Sequence, residues 1–187
     1  MKCPLFLYSV SGVSRRLQSV ENNIRELESL TDLADIFELV KRVVRQYLNR
    51  HRAGLMLGLA NLGMKRGFFI GAFYPVGSNI IVVNKAPLKM ASKTTDKKIY
   101  NAYCFLLLLH EYLHSLGYLD EKQVRDLTEE VCLLAFGNGH PATIMARRGI
   151  GAYFPKVTHL PLDNEPPSDY HVELVRNFDK SSSVYIQ

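Results

Sequence analysis

Between residues 19 and 50, apolar side chains recur at the three-and-four spacing of a helix face. Leu33, Ile36, Phe37, Val40, Val43, Val44, Tyr47 and Leu48 fall on one side, with charged residues between them. The spacing predicts a helix over 19–50 that backs a sheet. Ser29 or Thr31 is placed to cap its second part, and Asp32 suits the first turn there. Arg50 and Arg52 suit the C-terminal end, where the helix dipole favours cations.

From residue 53 the pattern changes. The run 54–61 fits a strand or a helix equally well. Residues 68–74 are aromatic and β-favouring, bounded by Gly67 and Pro75. Residues 75–78 carry a turn signal, and 79–84 is the clearest strand of the chain. The two runs predict a hairpin. A helix over 97–116 follows, with Thr94, Thr95 and Asp96 before it. Its segment 104–109 is apolar on every side, so it is expected to be central and buried. Another helix is expected over 121–136, with Val124, Leu127, Val131 and Leu134 inward, Glu130 at the edge of that stripe and Glu129 pointing away. Gly137, Asn138 and Gly139 end it. His140-Pro141 and a short apolar stretch around Ile144 and Met145 come next. Prolines then punctuate an irregular tail. The expected organisation is one domain over 1–155 and a tail over 156–187, its last part extended or mobile. The fold class is α+β, a small mixed sheet backed by helices.

Composition narrows this only a little. A chain of 187 residues, 47% hydrophobic, suits one domain with a sizeable core. A net charge of +5 is mildly basic, and the cationic residues sit in short clusters, which reads as solvated surface. The three cysteines, Cys3, Cys104 and Cys132, form no C-x-x-C pair. Cys104 and Cys132 lie in apolar helical stretches and read as small core residues. This pattern predicts a reducing cytoplasm. No signal-peptide pattern and no membrane-spanning apolar run is read, so no membrane association is expected.

The chemistry concentrates at the end of the buried helix, in His110-Glu111-Tyr112-Leu113-His114. Residues four apart share a helix face, so His110 and His114 can present two imidazoles to one metal ion. Glu111 then stands beside the site as a base for a metal-bound water. Placing a carboxylate and two imidazoles at the end of so apolar a helix is costly unless they are paired or metal-bound. Gly117, three residues on, can end the helix in a left-handed conformation and return the chain toward the imidazoles. Catalytic zinc commonly takes three protein ligands and keeps one open position. Asp120 is the nearest candidate for the third, although Asp120 with Gln123 also reads as a capping box for the next helix. Glu130 on that helix and His140 in the glycine-rich loop are the other candidates. For His140 an ordinary loop histidine is the plainer reading.

The string HEYLHSLGYLDE resembles the small zincin-like metalloprotease families. It is similar to the metzincin signature, which has His at the eleventh position, and to the snapalysin-like variant, which has Asp. It looks closest to minimal prokaryotic zincin-like proteins with the motif H-E-x-x-H-x-x-G-x-x-D-E, matched here by His110, Glu111, His114, Gly117, Asp120 and Glu121. The resemblance spans roughly residues 32–136, its specific part being the motif. It implies a zincin-like fold around the motif helix, zinc on His110, His114 and Asp120, Glu111 as general base, and hydrolysis of a peptide or protein substrate. A metzincin methionine turn is not recognisable, and Met145 reads as core.

Two other classes remain in view. Bacterial ribosomal-RNA maturation endoribonucleases carry H-G-x-L-H-x-x-G-Y-D-H, and this chain shares His110, Leu113, His114, Gly117 and Tyr118 with that pattern. Glu111 and Asp120 depart from it, so a nucleic-acid substrate is open but not favoured. A non-catalytic zincin-like module with a structural zinc is the third class; the intact Glu111 weighs against it.

Overall fold

The computed structural model describes residues 10–64, 70–154 and 171–180. The long helical pattern at the start resolves into two helices, α1 (Val10–Ser29) and α2 (Leu33–Leu48). Asp32 makes the break. Its backbone is extended, and its carboxylate accepts the Asp35 amide at 2.8 Å, capping α2. Ser29 and Thr31 do not cap: the Ser29 hydroxyl turns back to the Glu26 carbonyl. Apolar periodicity runs through the break because both helices bury the same kind of face. Asn49, at φ +50°, closes α2 ahead of the arginines.

The chain then builds a four-stranded mixed sheet from β1 (Met56–Ala60), β2 (Ala72–Phe73), β3 (Ile80–Asn84) and β4 (Glu173–Leu174), in the order β2-β3-β1-β4. Strands β1 and β3 are parallel, with Leu57 opposite Ile81 and Leu59 opposite Val83. The expected hairpin is present: β2 runs antiparallel to β3, Ala72 facing Val83 and Phe73 facing Val82. Strand β2 is shorter than the aromatic run suggested, and residues 65–69 of that run lie outside the described residues. Within residues 171–180, assigned from sequence to the tail, Glu173 and Leu174 pair with β1 as β4. Phe178 stacks on Phe37, and Asp179 binds both the Lys41 ammonium and the Leu55 amide. A two-residue strand and one buried ion pair leave no periodic trace in a sequence.

Helix α3 (Lys85–Thr94) follows β3 directly and was not anticipated. Asn84 makes the join. Its side-chain oxygen accepts the Leu62 and Ala86 amides, and its nitrogen donates to the Gly63 and Ile70 carbonyls. Every hydrogen-bonding position of this fully buried amide is used.

Helix α4 (Lys97–Ser115), capped by Asp96, is the centre of the molecule. It packs against α1, α2, α3, the edge of the sheet, α5 (Glu121–Phe136) and α6 (Pro141–Arg148). The all-apolar stretch expected to be buried is buried, Phe105, Leu108 and Leu109 completely so. Polar contacts fix its depth: the Asn101 amide donates to the Leu27 and Leu30 carbonyls, orphaned at the end of α1. Cys104 and Cys132 are buried free thiols, and Met145 lies in the core. No helix among the described residues is long and apolar enough to cross a membrane.

His140, a candidate ligand from the sequence, is the N-cap of α6. Its Nδ1 accepts the Ala142 amide at 3.2 Å and its ring stacks on Phe136. The proton therefore sits on Nε2, which is buried and meets no hydrogen-bond partner among the described residues. Burial, with Lys98 adding to it, pushes the imidazole pKa down to about 4. In the unfolded chain it returns to about 6.5, so the unfolded state binds the proton first as pH falls. The stability this group contributes is complete above pH ~6.5 and is lost toward pH ~4, by roughly 2–3 kcal/mol. His140→Asn keeps a capping oxygen without the titration. Urea melts at pH 7.5 and 4.5 should show the variant losing roughly 2–3 kcal/mol less than the parent over that interval. Equal losses would show that His140 does not fold as the neutral ring.

Candidate metal centre

Helix α4 ends in a glycine-closed turn that shapes the site. The Gly117 amide bonds the His114 carbonyl at 3.0 Å and the Tyr118 amide bonds the Leu113 carbonyl at 3.3 Å, with Gly117 at φ +97°. This is the Schellman pattern, and the positive φ is why glycine stands there. The chain reverses, and three residues later α5 begins beside the last turn of α4.

The reversal brings Glu121, not Asp120, onto the imidazoles. Asp120 is the N-cap of α5, its Oδ1 accepting the Gln123 amide at 2.7 Å. Glu121, the first residue of the helix, places Oε1 at 3.1 Å from His114 Nε2 and Oε2 at 3.5 Å from His110 Nε2. The two Nε2 atoms face each other at 3.3 Å. Among the described residues, His110, His114 and Glu121 are the one group of three potential ligand residues whose donor atoms converge. Asp120, expected as the third ligand, is not part of this converging group, and its Oδ1 caps α5. Neither other candidate joins. Glu130 is exposed on α5, and His140 is built into the α6 cap.

The separations fit a metal ion. Two ligands about 2.05 Å from zinc at a tetrahedral angle lie about 3.3 Å apart. The tautomers fit as well. His114 Nδ1 lies 2.8 Å from the Tyr118 carbonyl, which can only accept, so Nδ1 carries the proton and a neutral His114 presents a bare Nε2. A lone pair on that nitrogen, a second imidazole nitrogen and a carboxylate then point at one another, an arrangement that needs a proton or a cation at its centre. Burial works against the proton at His110, lowering its pKa, and the nearby His114 and Arg125 act in the same direction while Glu121 opposes them.

Glu111 lies on the same helix between the histidines and lines the same cleft. It is only 6% exposed, and the nearby Tyr74 backbone favours its ionised form. Burial first, and the Glu121 carboxylate second, push its pKa up to about 7. That matches a base working near neutrality. Tyr112, the intervening motif residue, points to the opposite side. It packs edge-on against Phe37, and its hydroxyl accepts the Arg52 amide while donating to the Arg52 carbonyl.

Arg52 was read from sequence only as a helix-end charge. Its guanidinium donates to the Ser115 carbonyl at the end of α4, to the Tyr74 hydroxyl and to the Ser78 carbonyl, each at 2.7 Å. It therefore ties the β2–β3 turn, and with it Tyr74, to the motif helix. A lone arginine in a loop carries no sequence signal for such a role. The cleft closed by these elements has a volume of about 310 Å³ and is lined by Ala72, Phe73, Tyr74, Val76, Leu119 and the motif residues with Glu121.

No family model matches the chain, and neither a curated protein nor a solved structure matches it.

Proposed function

We propose that the chain is a zinc-dependent peptide hydrolase with a zincin-like arrangement, using His110, His114 and Glu121 as ligands and Glu111 as general base. The carrying observation is the convergence of two imidazole nitrogens and both Glu121 oxygens, with separations of 3.1–3.5 Å, at a cleft that also holds the buried Glu111. When bound there, zinc would supply a Lewis acid and a water of lowered pKa. The chain's own residues do the rest. The Tyr118 carbonyl fixes the His114 ring through Nδ1, and burial holds Glu111 in the cleft. Glu111, its pKa raised to about 7, takes a proton from the attacking water and returns it to the leaving amine. Strand β2 ends the sheet among the described residues, and its outer edge would take an extended peptide in the manner of strand addition. Two buried free thiols suit a reducing compartment such as the cytoplasm.

A nucleic-acid substrate is not favoured. Among the described residues the cleft is lined by two carboxylates and by no Lys or Arg, the reverse of what a phosphate backbone requires. The test is metal content with activity. The purified chain should bind one zinc ion, cleave denatured casein, lose cleavage on chelation and regain it with zinc. Cleavage that persists after chelation, or a chain that takes up no zinc, sinks the proposal.

A further inference from the structure

We propose that this cleft selects unfolded polypeptide segments carrying a bulky apolar residue beside the bond to be cut, gripped by Val76 and Leu119. This rests on the hydrolase reading and adds its substrate class. Val76, on the β2–β3 turn, is 71% exposed, and Leu119, on the α4–α5 turn, is 58% exposed. Neither belongs to the core nor packs against it. Scattered exposed apolar residues are ordinary, but these two come from separate loops and line the same small cleft, with Ala72 and Phe73 beside them and the ligand group between.

Charge narrows the occupant. The ionisable groups lining the cleft among the described residues are His110, Glu111, His114 and Glu121. An acidic side chain meets two carboxylates. A basic one finds Glu111 buried and Glu121 engaged by the imidazoles. An apolar side chain covers two exposed hydrophobic lips. Size agrees: about 310 Å³ is at the low end for ligand sites, room for one large side chain and its peptide bond. Folded proteins keep Leu, Ile, Met and Phe largely inside, so segments that offer them in extended form come from unfolded chains.

Two readouts test this. The first is binding, by fluorescence anisotropy, of zinc-loaded Glu111→Gln protein to labelled ten-residue peptides of Gly, Ser and Gln with one central Leu or one central Ala. The second is the map, by mass spectrometry, of bonds cut in denatured casein by the zinc-loaded parent. The Leu peptide should bind at least about 10-fold tighter than the Ala peptide, and cuts should fall beside Leu, Ile, Met or Phe. Adding Val76→Ser and Leu119→Ser should bring the binding ratio close to one. Equal binding of the two peptides, a ratio unmoved by the serines, or cuts beside charged residues overturns the selectivity and leaves the hydrolase standing. If casein stays uncut by the zinc-loaded parent, the hydrolase reading falls and the selectivity with it. Should the serine variant fail to fold by circular dichroism, the binding ratio of the Glu111→Gln protein and the cut sites of the parent decide.

Discussion

Replacing Glu111 by Gln should lower peptide hydrolysis by about 10²–10⁴-fold while zinc stays bound. The amide keeps the shape of the side chain, but it cannot take a proton from water. Glu111 is not among the converging ligand residues, so metal content should not change. A second effect runs the other way. The Glu111 carboxyl is pushed from the usual range near 4.5 up to about 7 by burial. A raised carboxyl pKa means that the folded state holds its proton more tightly than the unfolded state. Stability is then greatest below pH ~4.5 and is lost as pH rises toward ~7, by at most roughly 3 kcal/mol. The metal-free Gln variant escapes that loss. It should be more stable than the metal-free parent at pH 8 by about 2–3 kcal/mol, and the gap should close in acid. Together these describe a group kept for chemistry at the expense of the fold. Parent-like cleavage by the Gln variant would remove Glu111 from the reaction. Identical pH–stability profiles would mean that Glu111 is not held in the buried setting described.

Where the sequence was legible, one physical signal dominated its stretch. The apolar run around Phe105 could only be a buried helix, and α4 is that helix, within a residue of the expected end. Asp120, Glu121 and the glycines after Phe136 bound α5 at the expected positions because caps are local chemistry. What was not legible is what depends on partners distant in the chain. The break at Asp32 shows in the sequence only as candidate caps at Ser29 and Thr31, because α1 and α2 each bury a stripe of similar period. Helix α3 follows from the way Asn84 gathers Leu62, Gly63, Ile70 and Ala86, which no window of sequence shows. Strand β4 depends on the Lys41–Asp179 pair, 138 residues apart in the chain.

The site divides in the same manner. His110, Glu111 and His114 follow from helical periodicity alone, and Gly117 from the turn that only a positive φ allows. The third carboxylate does not, because Asp120 and Glu121 are neighbours with competing uses. Spacing from the second histidine does not distinguish them; the direction of each side chain at the start of α5 does. A residue at an N-cap turns its carboxylate onto the helix amides, whereas the next residue points outward and is free to meet the face of α4.

That division gives the sharpest expected contrast in the molecule. Glu121→Ala should weaken zinc binding by at least about 100-fold, because removing even the groups that support a ligand costs 10–100-fold. Its effect on the metal-free fold should be small, since the side chain is 61% exposed. Asp120→Ala should do the reverse. It deletes the 2.7 Å bond to the Gln123 amide and should cost about 1 kcal/mol of stability, with zinc affinity within a few-fold of the parent. Zinc titration by calorimetry and urea melts of the metal-free proteins separate the two axes, metal on one and fold on the other. Asp120→Asn sharpens the contrast further: it retains a capping oxygen, so both stability and zinc affinity should stay near the parent values. If zinc affinity instead collapses in Asp120→Asn and survives in Glu121→Ala, then Asp120 leaves its cap to bind the ion. The start of α5 would have to rearrange around the metal, and the three-residue group seen at the end of α4 would not be the ligand set.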